Sequence, residues 1–223
     1  MQTADELERA LTLAREELLA CGTRLSKDYT AAGSDLFERQ SQRCLSLERD
    51  LARSRNEQCA VPLEWSAPWD VGAPLPLVVS SGHRLFVVYR QREHDPAWDG
   101  SYAEMVDPAS AEVRLIAIVE FHRCLIHRFG APNDEALEGH ALHGRGLEAY
   151  RAHTVERSSW LREQERINSV HRHHRPEAFA GFTHYVLPFH DETFECLADG
   201  HRIRESLSTF SEALQAVTDE VLR

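Results

Sequence analysis

The segment FTHYVLPFHDETFECLADG, residues 182–200, carries the most chemistry for its length. Its alternation reads as a β-hairpin, and a turn centred on Asp191-Glu192 would set Phe189 against Phe194 and Leu187 against Cys196. Tyr185, Leu187, Phe189, Phe194 and Cys196 then form a core face. His184, Val186, Pro188, His190, Thr193, Glu195 and Leu197 take the other face. That register makes His190 and Glu195 diagonal neighbours. A carboxylate beside an imidazole fixes its tautomer, the arrangement used in general acid–base and metal sites. The competing reading is a half-exposed hairpin whose polar pair only satisfies itself.

Glu120 and His122 repeat the pattern on the run VRLIAIVEFHRCLIHRF, residues 113–129. If that strand neighbours the hairpin, His122, His190 and Glu195 converge as a catalytic group. The stretch GAPNDEALEGHALHGRG, residues 130–146, is too rich in Gly, Pro, Asn and Asp for a regular element. As a loop over that face it would bring Asn133, Asp134 and Glu135, with Asp191 at the turn, as ligand-binding groups. It also carries His140 and His143, three residues apart and suited to zinc, iron or manganese as metal ligands.

Other motifs have plainer readings. Gly144-Arg145-Gly146-Leu147-Glu148-Ala149 has the letters of a dinucleotide fingerprint but lacks the strand that must precede it. His171, His173 and His174 crowd a predicted helix C-terminus, where cationic side chains complement the helix dipole. The five cysteines, at 21, 44, 59, 124 and 196, form no CxxC pair and read as free thiols in a reducing compartment. Cys196 falls on the core face and is inert there, whereas Cys124 shares the face of His122.

These residues need a frame. Leu7, Leu11, Ala14, Leu18, Cys21 and Leu25 make one helical stripe; Phe37, Cys44, Leu47 and Leu51 make a second, after Asp35 and Glu38 spaced as a capping box. They form an N-terminal helical hairpin, residues 1–58, that needs a partner surface, either the chain's own sheet or a second copy in a homodimer. A connector rich in proline and tryptophan covers 59–76. The remainder, 77–223, is an α+β core. Residues 75–80 and 83–90 read as a hairpin around Ser81-Gly82, followed by an acidic loop, EHDPAWDGSYAEMVDPASAE. The run 113–129 reads as a central strand and a helix begins near Ser158 or Ser159. A C-terminal helix is drawn from Ile203, Leu207, Phe210, Leu214, Val217 and Val221. The fold expected is an antiparallel β-sheet of about five strands with helices packed on one face.

The 223 residues carry a formal net charge of −11. This disfavours nucleic acid, although six arginines lie between residues 151 and 175, and it disfavours anionic membranes. The opening MQTADELERALTLAREELLA lacks a signal peptide's basic start and apolar centre, so the expected address is the cytoplasm. A single lysine, Lys27, is the usage of a GC-rich bacterial genome. No complete catalytic signature is present. The function expected is therefore a binding or accessory protein for a small molecule or protein partner. The alternative is a metal-dependent or histidine acid–base enzyme on the face of His122, His190 and Glu195.

Overall fold

The computed structural model describes residues 2–82, 84–93, 107 and 109–222, so most of the acidic loop lies outside the described residues. The chain is α+β and divides into two compact units. One unit comprises Met1–Val61, Glu138–Glu148 and Val155–Ser159; the other comprises Pro62–Leu137, Ala149–Thr154 and Trp160–Arg223.

In the first unit, α1 (Ala4–Leu25) and α2 (Ala31–Ser54) form the N-terminal hairpin. Thr3 and Glu6 close a reciprocal capping box on α1. Thr30, not Asp35, caps α2 through the amide of Gly33, so this helix starts before the position the sequence pattern suggests. The stripes bury against each other: Leu7, Leu11 and Ala14 pack with Cys44 and Leu51, and Leu18 and Leu47 flank them. Gly144 and Gly146 have φ of +68° and +87°, and a Cβ on Gly146 would lie 2.7 Å from the Ala60 carbonyl oxygen. The amide of Gly146 donates to the buried Glu48 at 3.1 Å. The glycines of the fingerprint-like stretch thus serve a tight loop. Strand β1 (Cys59–Pro62) follows α2.

The second unit holds β2 (Leu77–Ser81), β3 (Arg84–Arg90), β4 (Arg114–His122), β5 (Ile126–Gly130), β7 (Thr183–Pro188), β8 (Thr193–Ala198) and β9 (Gly200–Ser208). Strand β6 (His153–Glu156) starts in it; α3 (Ser159–Asn168) and α4 (Phe210–Val221) complete the list. Where the sequence suggests one sheet of about five strands, the chain forms two antiparallel sheets, of five and four strands. The smaller runs β2-β3-β4-β9; within the second unit the larger runs β6-β7-β8-β5.

The sheets share an apolar layer. Leu85, Val87, Tyr89, Ala117, Val119 and Phe121 of the smaller sheet meet Tyr185, Leu187, Phe189, Phe194 and Cys196 of the larger. The ring centroids of Phe121 and Phe194 are 5.3 Å apart. On the other face of the smaller sheet, Phe86, Val88, Ile116 and Ile118 are covered by Phe210, Ala213 and Val217 of α4. Strand β4 is therefore buried on both sides, which is why its sequence is apolar without alternation. No helix among the described residues is long and apolar enough to cross a membrane.

Three local readings change. The run 113–129 is not one strand: Arg123 takes a φ of +49° and the chain passes from β4 in one sheet to β5 in the other. The C-terminal helix begins only at Phe210, with Thr209 and Glu212 as its capping box. Ile203 and Leu207 lie instead on β9, the edge strand beside β4. The hairpin 183–198 has Leu187 opposite Phe194 and Val186 opposite Glu195, two residues away from the predicted pairing. Its turn, closed by the Phe189 amide on the Glu192 carbonyl at 2.8 Å, has His190 and Asp191 at its corners. A slip of two leaves every side chain on its predicted face and changes only its neighbours.

Candidate functional site

Turn and loop meet at His190. The Asp134 amide donates to the His190 carbonyl at 3.0 Å, and the Thr193 hydroxyl donates to the Pro132 carbonyl at 2.8 Å, tying the loop after β5 to the turn of the β7–β8 hairpin. A third segment arrives through Tyr150, whose amide donates to the Pro188 carbonyl at 3.1 Å and whose φ is +60°. These backbone ties bring three side chains together. His190 Nδ1 lies 3.1 Å from Asp134 Oδ2 and 3.0 Å from the Tyr150 hydroxyl, and that hydroxyl donates to the same carboxylate oxygen. The side chain of His190 is 39% exposed and that of Asp134 17%.

The proton positions follow from the acceptors. Bonding from Tyr150, and then from His190, holds the Asp134 carboxyl below its ordinary range. Burial, and then Asp134, pushes the Tyr150 phenol up to about 12. At neutral pH the carboxylate only accepts, and the phenol's one proton is given to it. Nδ1 of His190 must therefore carry the proton between them, and in the neutral ring Nε2 keeps the lone pair. The surroundings are acidic. Asp191 is adjacent, and Glu192 is raised above the usual carboxylate range by burial and then by Asp191.

Glu195 has other partners. Its Oε2 lies 2.8 Å from His184 Nε2, with both side chains 4% exposed, and its Oε1 accepts from Arg128 at 2.6 Å. Trp160 of α3 packs edge-on to His184, and the Arg128 guanidinium lies 4.6 Å from the centroid of the same indole. The predicted diagonal pairing of His190 with Glu195 is thus replaced by two pairs, Asp134 with His190 and His184 with Glu195, because the hairpin register differs by two residues.

The other residues singled out by sequence are dispersed. His122 is exposed at the end of β4, opposite Gly200 and in the smaller sheet, while His190 and Glu195 belong to the hairpin of the larger. Glu120 is held by Arg84 at 3.0 Å and Arg202 at 2.9 Å. Asn133 and Asp134 accept nearby amides, from Ala136 and Glu135, and so shape the loop. His140 and His143 belong to the first unit, where His140 Nδ1 accepts the Leu142 amide at 3.2 Å. Among the described residues no group of three or more His, Cys, Asp or Glu side chains is arranged to hold a metal ion. His171 and His174 follow α3, and His174 lies 3.9 Å from Glu165. Burial pushes the Cys196 thiol well up, whereas its hydrogen bond with Cys196 lowers the Cys124 thiol.

A second feature comes from residues that sequence patterns did not connect. Glu64, Trp65, Ser66, His201 and Ile203 line an open cleft of about 470 Å³. The rings of Trp65 and His201 stack with centroids 4.8 Å apart and planes 23° from parallel. The Trp65 indole N–H donates to the Tyr89 hydroxyl at 2.7 Å, and that hydroxyl donates to the Ala67 carbonyl, so the indole is fixed from behind. Burial, and then His122, lowers the His201 imidazole, leaving it uncharged at neutral pH. No sequence signal marked Tyr150, Arg128 or His201; Trp65 stood out only as one of the two tryptophans of the connector, and its stacking partner depends on a contact between distant segments.

No family model, curated protein or solved structure matches the chain.

Proposed function

We propose that this chain is a binding protein that holds a small planar cation in the cleft of Trp65 and His201. The observation that carries the reading is the cleft itself, about 470 Å³ and lined by an indole stacked on an imidazole. That volume lies within the roughly 300–1,000 Å³ of small-ligand sites. An indole is the best aromatic surface for a cation. His201 covers one face of the Trp65 ring, so the cation would meet the part of the ring that lines the cleft, where the neutral imidazole adds no opposing charge. Glu64 lines the same cleft and supplies a carboxylate, and the net charge of −11 favours the approach of cations over anions. A cytoplasmic setting belongs to this reading and is supported by five unpaired thiols.

Benzamidine, a planar amidinium, tests the proposal by titration of tryptophan fluorescence. Saturable quenching in the millimolar range is expected for so small a probe, abolished by Trp65→Leu and weakened severalfold by Glu64→Gln. Benzoate, the same ring with the opposite charge, is expected to leave the signal unchanged. Quenching that survives Trp65→Leu, or none in the unaltered protein, rejects the cleft as the binding site.

A further inference from the structure

The His190 group is a different site with a different chemistry. Its acceptors leave one consistent placement of protons: Tyr150 O–H on Asp134, and His190 Nδ1–H between the two. The ring's other nitrogen carries none of these bonds, and the side chain is 39% exposed at the corner of a turn. An imidazole held by a carboxylate in one tautomer, on a side chain partly open to solvent, is the arrangement of a general base. Backbone bonds from three segments fix it: Asp134 to His190, Tyr150 to Pro188, and Phe189 to Glu192. Such fixing is what a base needs to meet a substrate at a constant distance.

We propose that His190 is a catalytic general base whose Nε2 removes a proton from water attacking a neutral or cationic acyl substrate, with Asp134 and Tyr150 as its positioning residues. The charge around it selects the substrate: Asp134, Glu135, Asp191 and Glu192 are all acidic and disfavour phosphate or carboxylate groups. The step balances without a cofactor. As the water oxygen bonds to the acyl carbon, Nε2 takes its proton. The bond from that carbon to the leaving oxygen then breaks, and the departing alcohol takes the proton from the imidazolium, leaving acid, alcohol and the neutral ring. Asp134 stabilises the transient imidazolium and stays ionised throughout.

The test uses the full chain with p-nitrophenyl acetate, a neutral activated ester. Twelve other histidines supply a background rate, and His190→Gln measures it. The unaltered protein is expected to exceed that background at least about tenfold, a threshold set below the roughly 100- to 10,000-fold that general bases contribute because the acetate is not a fitted substrate. Asp134→Asn should remove most of the excess, because the amide can donate to Nδ1 and favour the wrong tautomer. Mono-p-nitrophenyl glutarate, an anionic ester, should react more slowly than the acetate, and the difference should shrink in high salt. Nitrogen-15 chemical shifts give a readout independent of activity: the neutral ring of His190 should be the tautomer protonated at Nδ1, with Nε2 unprotonated. A rate equal to that of His190→Gln, or an unprotonated Nδ1, overturns the proposal.

Discussion

Replacing Glu195 with alanine breaks a deeply enclosed ionisable pair of the larger sheet. Glu195 and His184 side chains are each 4% exposed and 2.8 Å apart, and the second carboxylate oxygen accepts from Arg128 at 2.6 Å. A hydrogen bond involving a charged group contributes about 1.5–3 kcal/mol. Arg128 is 54% exposed, so its share is screened and adds at most about 1 kcal/mol. The expected cost of Glu195→Ala is therefore about 2–4 kcal/mol, which for a chain of this size lowers the melting temperature by roughly 4–16 °C. Glu195→Gln keeps the shape and one acceptor oxygen, so its cost should be about half as large. Arg128→Ala, which leaves the His184–Glu195 bond in place, should cost about 1 kcal/mol or less. Urea unfolding followed by tryptophan fluorescence measures all three. If Glu195→Ala stays within about 1 kcal/mol of the parent, or Glu195→Gln costs more than the alanine, the pair is not the stabilising contact its burial implies.

Two further outcomes follow from the fold and the site. Deleting residues 209–223 uncovers Phe86, Val88, Ile116 and Ile118, so the truncated chain should be insoluble or rapidly cleaved by protease; a soluble product with a cooperative transition would show α4 to be dispensable. The Asp134 carboxyl lies below its ordinary value in the folded chain. Its contribution is therefore complete above the unfolded pKa of about 4 and is lost as pH falls through the lower folded value. Asp134→Asn should flatten this part of the acid limb, which melting temperatures between pH 6 and pH 2.5 would reveal; an unchanged limb contradicts the assigned bonds.

Period and punctuation carried the secondary structure. The stripe Leu7, Leu11, Ala14 and the stripe Cys44, Leu47, Leu51 meet each other as amphipathic helices must. The unbroken apolar run Ile116–Val119 marks a strand covered on both faces. Alternation from Tyr185 to Cys196 assigned the inner face correctly, with Leu187, Phe189 and Phe194 all in the shared core. The α+β class was legible for the same reason: burial imposes its own repeat on each element.

The partners within the site were decided elsewhere. A period of two is unchanged by a slip of two, so alternation could not choose between Glu195 beside His190 and Glu195 beside His184. The turn at Phe189–Glu192 made that choice. Ile203 and Leu207 fit the helical stripe of Phe210 and Val217 by spacing, yet pairing with β4 drew them into a strand, because an edge position offered their backbone a ladder of hydrogen bonds. The turn at Arg123, which sends one apolar run into two sheets, left no mark in residue type. Tyr150 reaches Asp134 and His190 across sixteen and forty residues of chain, a closure set by backbone bonds between loops that no local pattern encodes. Sequence determined which side of each element faces the core, because that depends on local period. Which polar side chains meet depended on register and loop closure, which are fixed only when distant segments pack.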